Sequence, residues 1–403
     1  MKKGENMSEN RKKSPDSKNI ALDKFGFAGT HKSGEKRRKE DKIKGRPKNP
    51  FVRFAQSVFP QKDDSAGEKI RKIVLIVAVI IFIGTLVFLG WQLFQIDNSD
   101  KINSDIADIA GSPNESVDYD FADDTPFNTN GTTASTSGGE EEEEIDLTPV
   151  TNTPLNIDFA ALKEVNPDTR GWIKITGTPI NNVIVQSDAS DPNYYLTHDF
   201  YGNETITGTV YSNYKNKWDG TDENIILVGH NMRSGQFFAS IRRYAPDESS
   251  KEPIAFYKVH PTIMIATPDG GSQTYKVFAG MLANTQSEYG EVFSYINRTS
   301  FKDKDDFNNF ILDVMDRSWF FTDVDITYGD QLLTMSTCYW PLGQNIDTRW
   351  VLFARKVRPG ESEYVDTSVA RRNYQARLFE YYYDVIGGQW YGSVWDKSKL
   401  LSY

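Results

Sequence analysis

A single thiol, Cys338, ends the segment Leu332 to Tyr339, LLTMSTCY, in which apolar and hydroxyl residues alternate as in a strand. With one cysteine in the chain no internal disulfide forms, so the thiol is an inert buried group, an intermolecular linker or a nucleophile. Two further segments favour the nucleophile. In Asn224 to Phe238, NIILVGHNMRSGQFF, an apolar run of strand length delivers His230 to a polar, Gly-containing loop, where side chains face clefts. In Asp347 to Val357, DTRWVLFARKV, Arg349 opens another apolar strand roughly ten residues after the cysteine, a spacing suited to adjacent strands joined by a short loop. Taken singly, a strand-end histidine is usually a hydrogen-bonded surface group and a strand-end arginine is usually solvated. Their joint placement with a thiol is what points to nucleophilic chemistry.

These residues resemble the sortases, and specifically the class B sortases of Gram-positive bacteria, over roughly Asp158 to Pro359. The family's cysteine motif, T-L-x-T-C, is matched by Thr334 to Cys338 with Met335 in the leucine place, a volume-conserving change. Its histidine motif is matched by Gly229 to Met232, followed by Gly235, Phe237 and Phe238, and its arginine strand by Arg349 to Lys356. Upstream, NPDTRGWIKITGTPINNVIVQ from Asn166 to Gln186 and NYYLTHDFYGNETITGTVY from Asn193 to Tyr211 resemble the start of the class B domain. Four separated matches in the right order make the signal specific. Class B rather than class A is suggested by Phe301 to Phe320, where Phe307, Phe310, Ile311, Val314 and Met315 recur at helical spacing. In class B sortases an extra helix occupies this connection and forms one wall of the substrate groove.

The resemblance implies a closed all-β sortase-type barrel with added helices, acting as a cysteine transpeptidase. Cys338 would be the nucleophile, its thiolate stabilised by the imidazolium of His230, which then protonates the leaving amine. Arg349 would supply charged donors to the oxyanion, with the backbone N–H of Tyr339 as a second donor. The first substrate implied is a secreted protein with a C-terminal sorting signal of Pro-x-Thr type, cut after the threonine. The acceptor would be an amine of peptidoglycan or, as an alternative, a pilin lysine. The resemblance also points to Leu196, Tyr295, Ile296, Ser336 and Tyr339 as substrate contacts, whereas Thr337 serves the core equally well. No cofactor and no metal site are expected, and His31, His198 and His260 lack partners at ligand spacing. A papain-type thiol hydrolase would need an early cysteine at a helix start, whereas here the histidine comes about a hundred residues before the cysteine. A non-catalytic barrel scaffold is the remaining rival, since fold alone never excludes it.

The rest of the chain is laid out to deliver such a domain to a cell surface. Ile73 to Trp91 is an uncharged apolar run of about nineteen residues, long enough to span a hydrocarbon core, and it reads as a single-pass anchor. A cleaved signal peptide is disfavoured by its position and length. Residues 1–72 carry about 21 Lys and Arg against about 10 Asp and Glu, so the positive-inside rule puts this basic, disordered tail in the cytoplasm and the remainder outside the cell. With a net charge of −10 overall, the outer part is strongly acidic and unsuited to nucleic acid. Residues 92–154 read as an acidic, Ser/Thr/Gly-rich spacer that includes the run Glu140 to Glu144. Residues 155–359 form the catalytic domain, with a helix over Asp158 to Val165 and eight short strands bounded by turn residues. In the extension 360–403, the arginines and aromatics of Val369 to Ile386 suggest an amphipathic helix of unassigned role.

Overall fold

In the computed structural model, which describes residues 49–112, 146–232 and 235–401, the chain divides within its longest helix into two compact units, residues 1–80 and 81–403. The first unit holds α1 (Pro50–Val58), capped by the Asn49 side chain, and the start of α2 (Ala66–Ile109). Asp64 pairs with Lys72 at 2.8 Å there. The basic segment read as a disordered tail is therefore helical in part, and residues 1–48 lie outside the described residues. α2 contains the apolar run Ile73 to Trp91 and is long and apolar enough to cross a membrane.

In the second unit α2 continues to Ile109, so residues 92–109, read as spacer, are helical. Ile102, Ile106 and Ile109 recur at helical spacing, and Ile106, Ala107 and Ala110 are buried against Leu162, Trp172 and Val183. The acidic run Glu140 to Glu144 lies outside the described residues. α3 (Phe159–Val165) starts at Asp158, whose side chain accepts the Ala161 N–H at 2.9 Å.

Eight strands then close a barrel. They are β1 (Thr169–Lys174), β2 (Asn181–Val185), β3 (Tyr211–Ser212), β4 (Asn224–Val228), β5 (Thr262–Thr267), β6 (Gly271–Asn284), β9 (Leu332–Cys338) and β10 (Thr348–Lys356). The order around the barrel is β1-β2-β3-β4-β9-β10-β6-β5, and β5 returns to β1. Most pairs are antiparallel, but β4 and β9 run parallel, with Val228 beside Ser336. Two short strands, β7 (Phe320–Phe321) and β8 (Ile326–Thr327), lie between β6 and β9. The helices α4 (Ala255–Val259) and α5 (Lys304–Arg317) complete the domain, α5 being the inserted helix read from the sequence.

Side-chain alternation sorts β9 and β10 into two faces. Leu333, Met335, Trp350, Leu352 and Ala354 fill one hydrophobic cluster together with β4 residues Ile225 and Leu227. Leu332, Val351 and Phe353 belong to another, shared with Phe307, Phe310 and Val314 of α5. The five apolar positions read as one face of that helix are all buried, and Asp303 caps its start by accepting the Asp306 N–H at 2.9 Å.

The C-terminal extension departs from the expected helix. Arg371–Arg372 form β11, paired with β7, and only Glu380–Ile386 are helical, as α6. Leu400–Leu401 form β12 beside β8. Phe379 and Tyr382 enter the same cluster as Trp319 and Trp350, so this segment is part of the domain's core. Its arginines mimic the polar stripe of an amphipathic helix, but Arg372 bonds the Trp319 carbonyl at 2.6 Å and Glu248 at 2.7 Å.

Candidate active site

Cys338 is the last residue of β9 and Arg349 the second of β10, and the two strands place them directly opposite each other as a cross-strand pair. Both share the face of Ser336 and Val351, on the α5 side of the sheet. β4 brings the histidine. Its register continues past the strand end, because the Gly229 N–H donates to the Ser336 carbonyl at 3.2 Å and Asn231 Nδ2 to the Cys338 carbonyl at 2.9 Å. The loop carrying His230 is thus sewn alongside the cysteine strand. The Thr337 hydroxyl adds a stitch by donating to the Gly229 carbonyl at 2.8 Å. Thr337 is buried and spends its hydroxyl on this clamp, the structural one of the two roles open to it.

The imidazole is oriented by backbone. His230 Nε2 lies 2.8 Å from the Leu196 carbonyl oxygen, which only accepts, so Nε2 carries the hydrogen and Nδ1 is the basic nitrogen of the neutral ring. Leu196 closes a 3-10 turn, Tyr194–Leu196, that packs with α2 and β1 residues. Burial lowers the pKa of His230, and the nearby Arg349 charge lowers it further. Burial also pushes the Cys338 thiol up, against the opposing pull of Arg349. Both shifts run toward the neutral forms, thiol and imidazole.

Ser336 and Tyr295 meet under the cysteine, their hydroxyls 2.8 Å apart and buried. Tyr295 and Tyr211 both face the charges of Cys338 and Arg349. Tyr211 was not singled out as a site residue, although it ends the strand read over Thr207 to Tyr211, of which only Tyr211–Ser212 pair as β3. The Ile296 carbonyl accepts from Asn213 Nδ2 at 2.6 Å, which fixes the segment carrying Tyr295. Tyr339 corrects an expectation twice. Its N–H donates to the Thr348 carbonyl at 3.1 Å, completing the ladder, and so is spent. Its ring turns inward, edge-on to Trp350 and beneath the Arg242 guanidinium. Successive strand residues point to opposite faces, so the residue after Cys338 packs the interior.

Arg349 is only partly satisfied. One Nη1 bonds Asp347 and the Thr348 carbonyl, while Nε and Nη2 have no protein acceptor among the described residues. His198 stacks on Tyr194, and His260 bonds the Thr176 carbonyl at 3.0 Å. Neither belongs to this constellation.

Residues 173–357 match the family model of the sortase domain. The chain is 29% identical over 177 residues to sortase B of Listeria monocytogenes, an alignment covering 44% of this chain and 65% of that protein. It is 27% identical over 180 residues to sortase B of Staphylococcus aureus, covering 45% and 67%. The chain thus spans just under two thirds of the Listeria protein it matches. Among solved structures, Clostridium perfringens sortase B is 28% identical, with 49% of this chain and 99% of that one covered and a TM-score of 0.42. The S. aureus sortase B–substrate complex is 26% identical, covering 50% and 84%, again at 0.42. The barrel with a thiol, an imidazole and a guanidinium at one rim lies in the segment that matches the sortase domain, and over that segment the chain is similar to sortase B proteins.

Proposed function

We propose that this protein is a membrane-anchored cysteine transpeptidase, held by the apolar run of α2 with the barrel outside the cell. The observation that carries the reading is the cross-strand pair of Cys338 and Arg349 with His230 sewn beside it from a parallel neighbour. The carbonyl of a threonine in a Pro-x-Thr signal would be attacked by Cys338 Sγ as His230 Nδ1 takes the thiol proton. The tetrahedral oxyanion would be met by the free donors of Arg349, in a half-buried site where such contacts are strong. His230 would return the proton to the leaving amine, yielding a thioester. An incoming amine of peptidoglycan would attack that thioester, His230 would accept its proton, and Cys338 would be released as the thiol. The Ser336–Tyr295 hydroxyl pair and the Leu196 turn flank this point and would contact the signal peptide.

The test is intact-mass spectrometry of the full-length protein in detergent with a panel of Pro-x-Thr pentapeptides, beside the Cys338→Ala form. A thioester adduct on the parent alone, discharged faster by added amine than by water, is the expected result. Water discharging it as fast as amine would make the protein a hydrolase. No adduct with any peptide would favour a barrel scaffold.

A further inference from the structure

Arg349 is held by a residue that nothing in the mechanism has used. Asp347 sits two residues before it, at the mouth of β10, and receives donors from three directions. Its carboxylate accepts from Arg349 Nη1, from Trp340 Nε1 at 3.3 Å and from the Thr285 hydroxyl at 2.9 Å. Its backbone is pinned as well, its N–H donating to Gln286 Oε1 at 2.8 Å and its carbonyl accepting the Thr285 N–H at 3.2 Å. The turn after β6 is braced from behind. The Glu380 carboxylate at the start of α6 accepts the Glu291 N–H at 2.7 Å, and Arg377 pairs with Glu291.

We propose that Asp347 is a positioning residue that ties the Arg349 guanidinium to the turn at 284–286 and so keeps its free donors facing Cys338. The proposal rests on the transpeptidase reading for its consequence, but not for its test. An arginine at a strand mouth has several rotatable bonds and, at 26% side-chain exposure, room to swing into solvent. A half-exposed carboxylate adds little stability by charge alone. What it adds is geometry, since it occupies one corner of the planar fork and leaves Nε and Nη2 directed elsewhere.

The single cysteine makes the test site-specific. Asp347 acts on the thiol in two opposed ways: its own charge raises the thiol's pKa, whereas holding Arg349 near Sγ lowers it. Tyr211 and Tyr295 also interact with Cys338, and they and His230 are unaltered by the substitutions. Iodoacetamide alkylation of Cys338 is followed against pH in the full-length protein, in Asp347→Ala, in Arg349→Ala and in the double variant. Positioning predicts that Asp347→Ala moves the alkylation midpoint upward by about 0.5–1 pH unit, in the same direction as Arg349→Ala. It also predicts that, once Arg349 is gone, Asp347→Ala no longer raises the midpoint and leaves only a small downward shift from the loss of its own charge. In the single variant a downward shift or no shift, or in the Arg349→Ala background a further upward shift, overturns it. Should Asp347→Ala fail to fold, Asp347→Asn replaces it, with a smaller shift of the same sign expected and the same outcomes overturning the proposal. Failure of the parent protein to form a thioester would sink the transpeptidase reading and leave this result standing.

Discussion

Two arginines on one strand have opposite fates. Arg349 and Arg355 lie six residues apart on β10, on the same face, with Val351 and Phe353 between them under α5. Arg355 is sealed, its side chain 1% exposed, and its donors reach Asp325, Glu361 and the Asp325 and Lys356 carbonyls. Arg358 and Lys276 extend this network through Asp330, Asp325 and Glu361. Among the described residues Arg349 has one carboxylate and one carbonyl for its five N–H groups. A guanidinium whose donors are all used closes the barrel, and one with donors to spare at the rim is equipped for charge that appears only during a reaction.

Substitution should separate the two functions. Arg355→Ala is expected to cost about 2–3 kcal/mol of stability, because it removes a buried side chain and takes charge-assisted bonds from the partly exposed Asp325 and Glu361, while molecules that remain folded keep their activity. Chemical denaturation of the detergent-solubilised protein measures this. A loss under about 1 kcal/mol would place Arg355 among ordinary surface pairs. Arg349→Ala should reverse the pattern, with acyl transfer slowed by about 100- to 1000-fold and the denaturation midpoint almost unmoved. If activity survives, Arg349 is not the oxyanion donor and the comparison between the two arginines fails.

Acid sharpens the contrast with a smaller effect. The Glu361 and Asp325 carboxyls are held below their usual range by Arg355 and its neighbours, so this stabilisation is present above their unfolded values and lost only as pH falls through the lower folded ones. His260 responds earlier, since burial takes it from 6.5 down to about 4. It is neutral when folded, so its contribution is complete above pH 6.5 and fades as pH falls toward 4. Lowering pH from 7.5 to 5 should therefore remove about 1–2 kcal/mol, a slope that His260→Gln reduces while the ion-pair end of the barrel stays intact. Denaturant midpoints at several pH values read it directly, and an unchanged slope in the variant would assign the loss elsewhere.

Much of this was legible without coordinates. The helix of α5 was legible because five apolar positions at three- and four-residue spacing have one physical solution, a stripe buried on a sheet. The strands of β4 and β10 were legible as apolar runs between turn residues, which must be covered on both faces, and β9 as an alternation of apolar and hydroxyl residues. The ends of those runs pointed to Cys338, His230 and Arg349. Tyr339 was misjudged because the ladder claims the N–H of a residue that still lies in register, and only the pairing with Thr348 reveals it. Asp347 and Tyr211 lay in segments read from the sequence but were not singled out, because both matter through contacts with residues far along the chain. In the C-terminal extension, aromatic and basic residues fit a helix and a strapped strand equally well until Phe320 and Phe321 offer an edge to pair with.

The sequence by itself determined which residues could do chemistry, which segments were strands and that one segment was apolar enough for a bilayer. Those are local properties, set by residue type and spacing along a few turns of chain. Tertiary structure alone decided that, among the described residues, Arg349 keeps free donors while Arg355 keeps none, that burial raises the thiol's pKa and lowers the imidazole's, and that a turn after β6 grips Asp347. These depend on distances between residues tens to more than a hundred positions apart, and on how much water the folded barrel leaves around each charge.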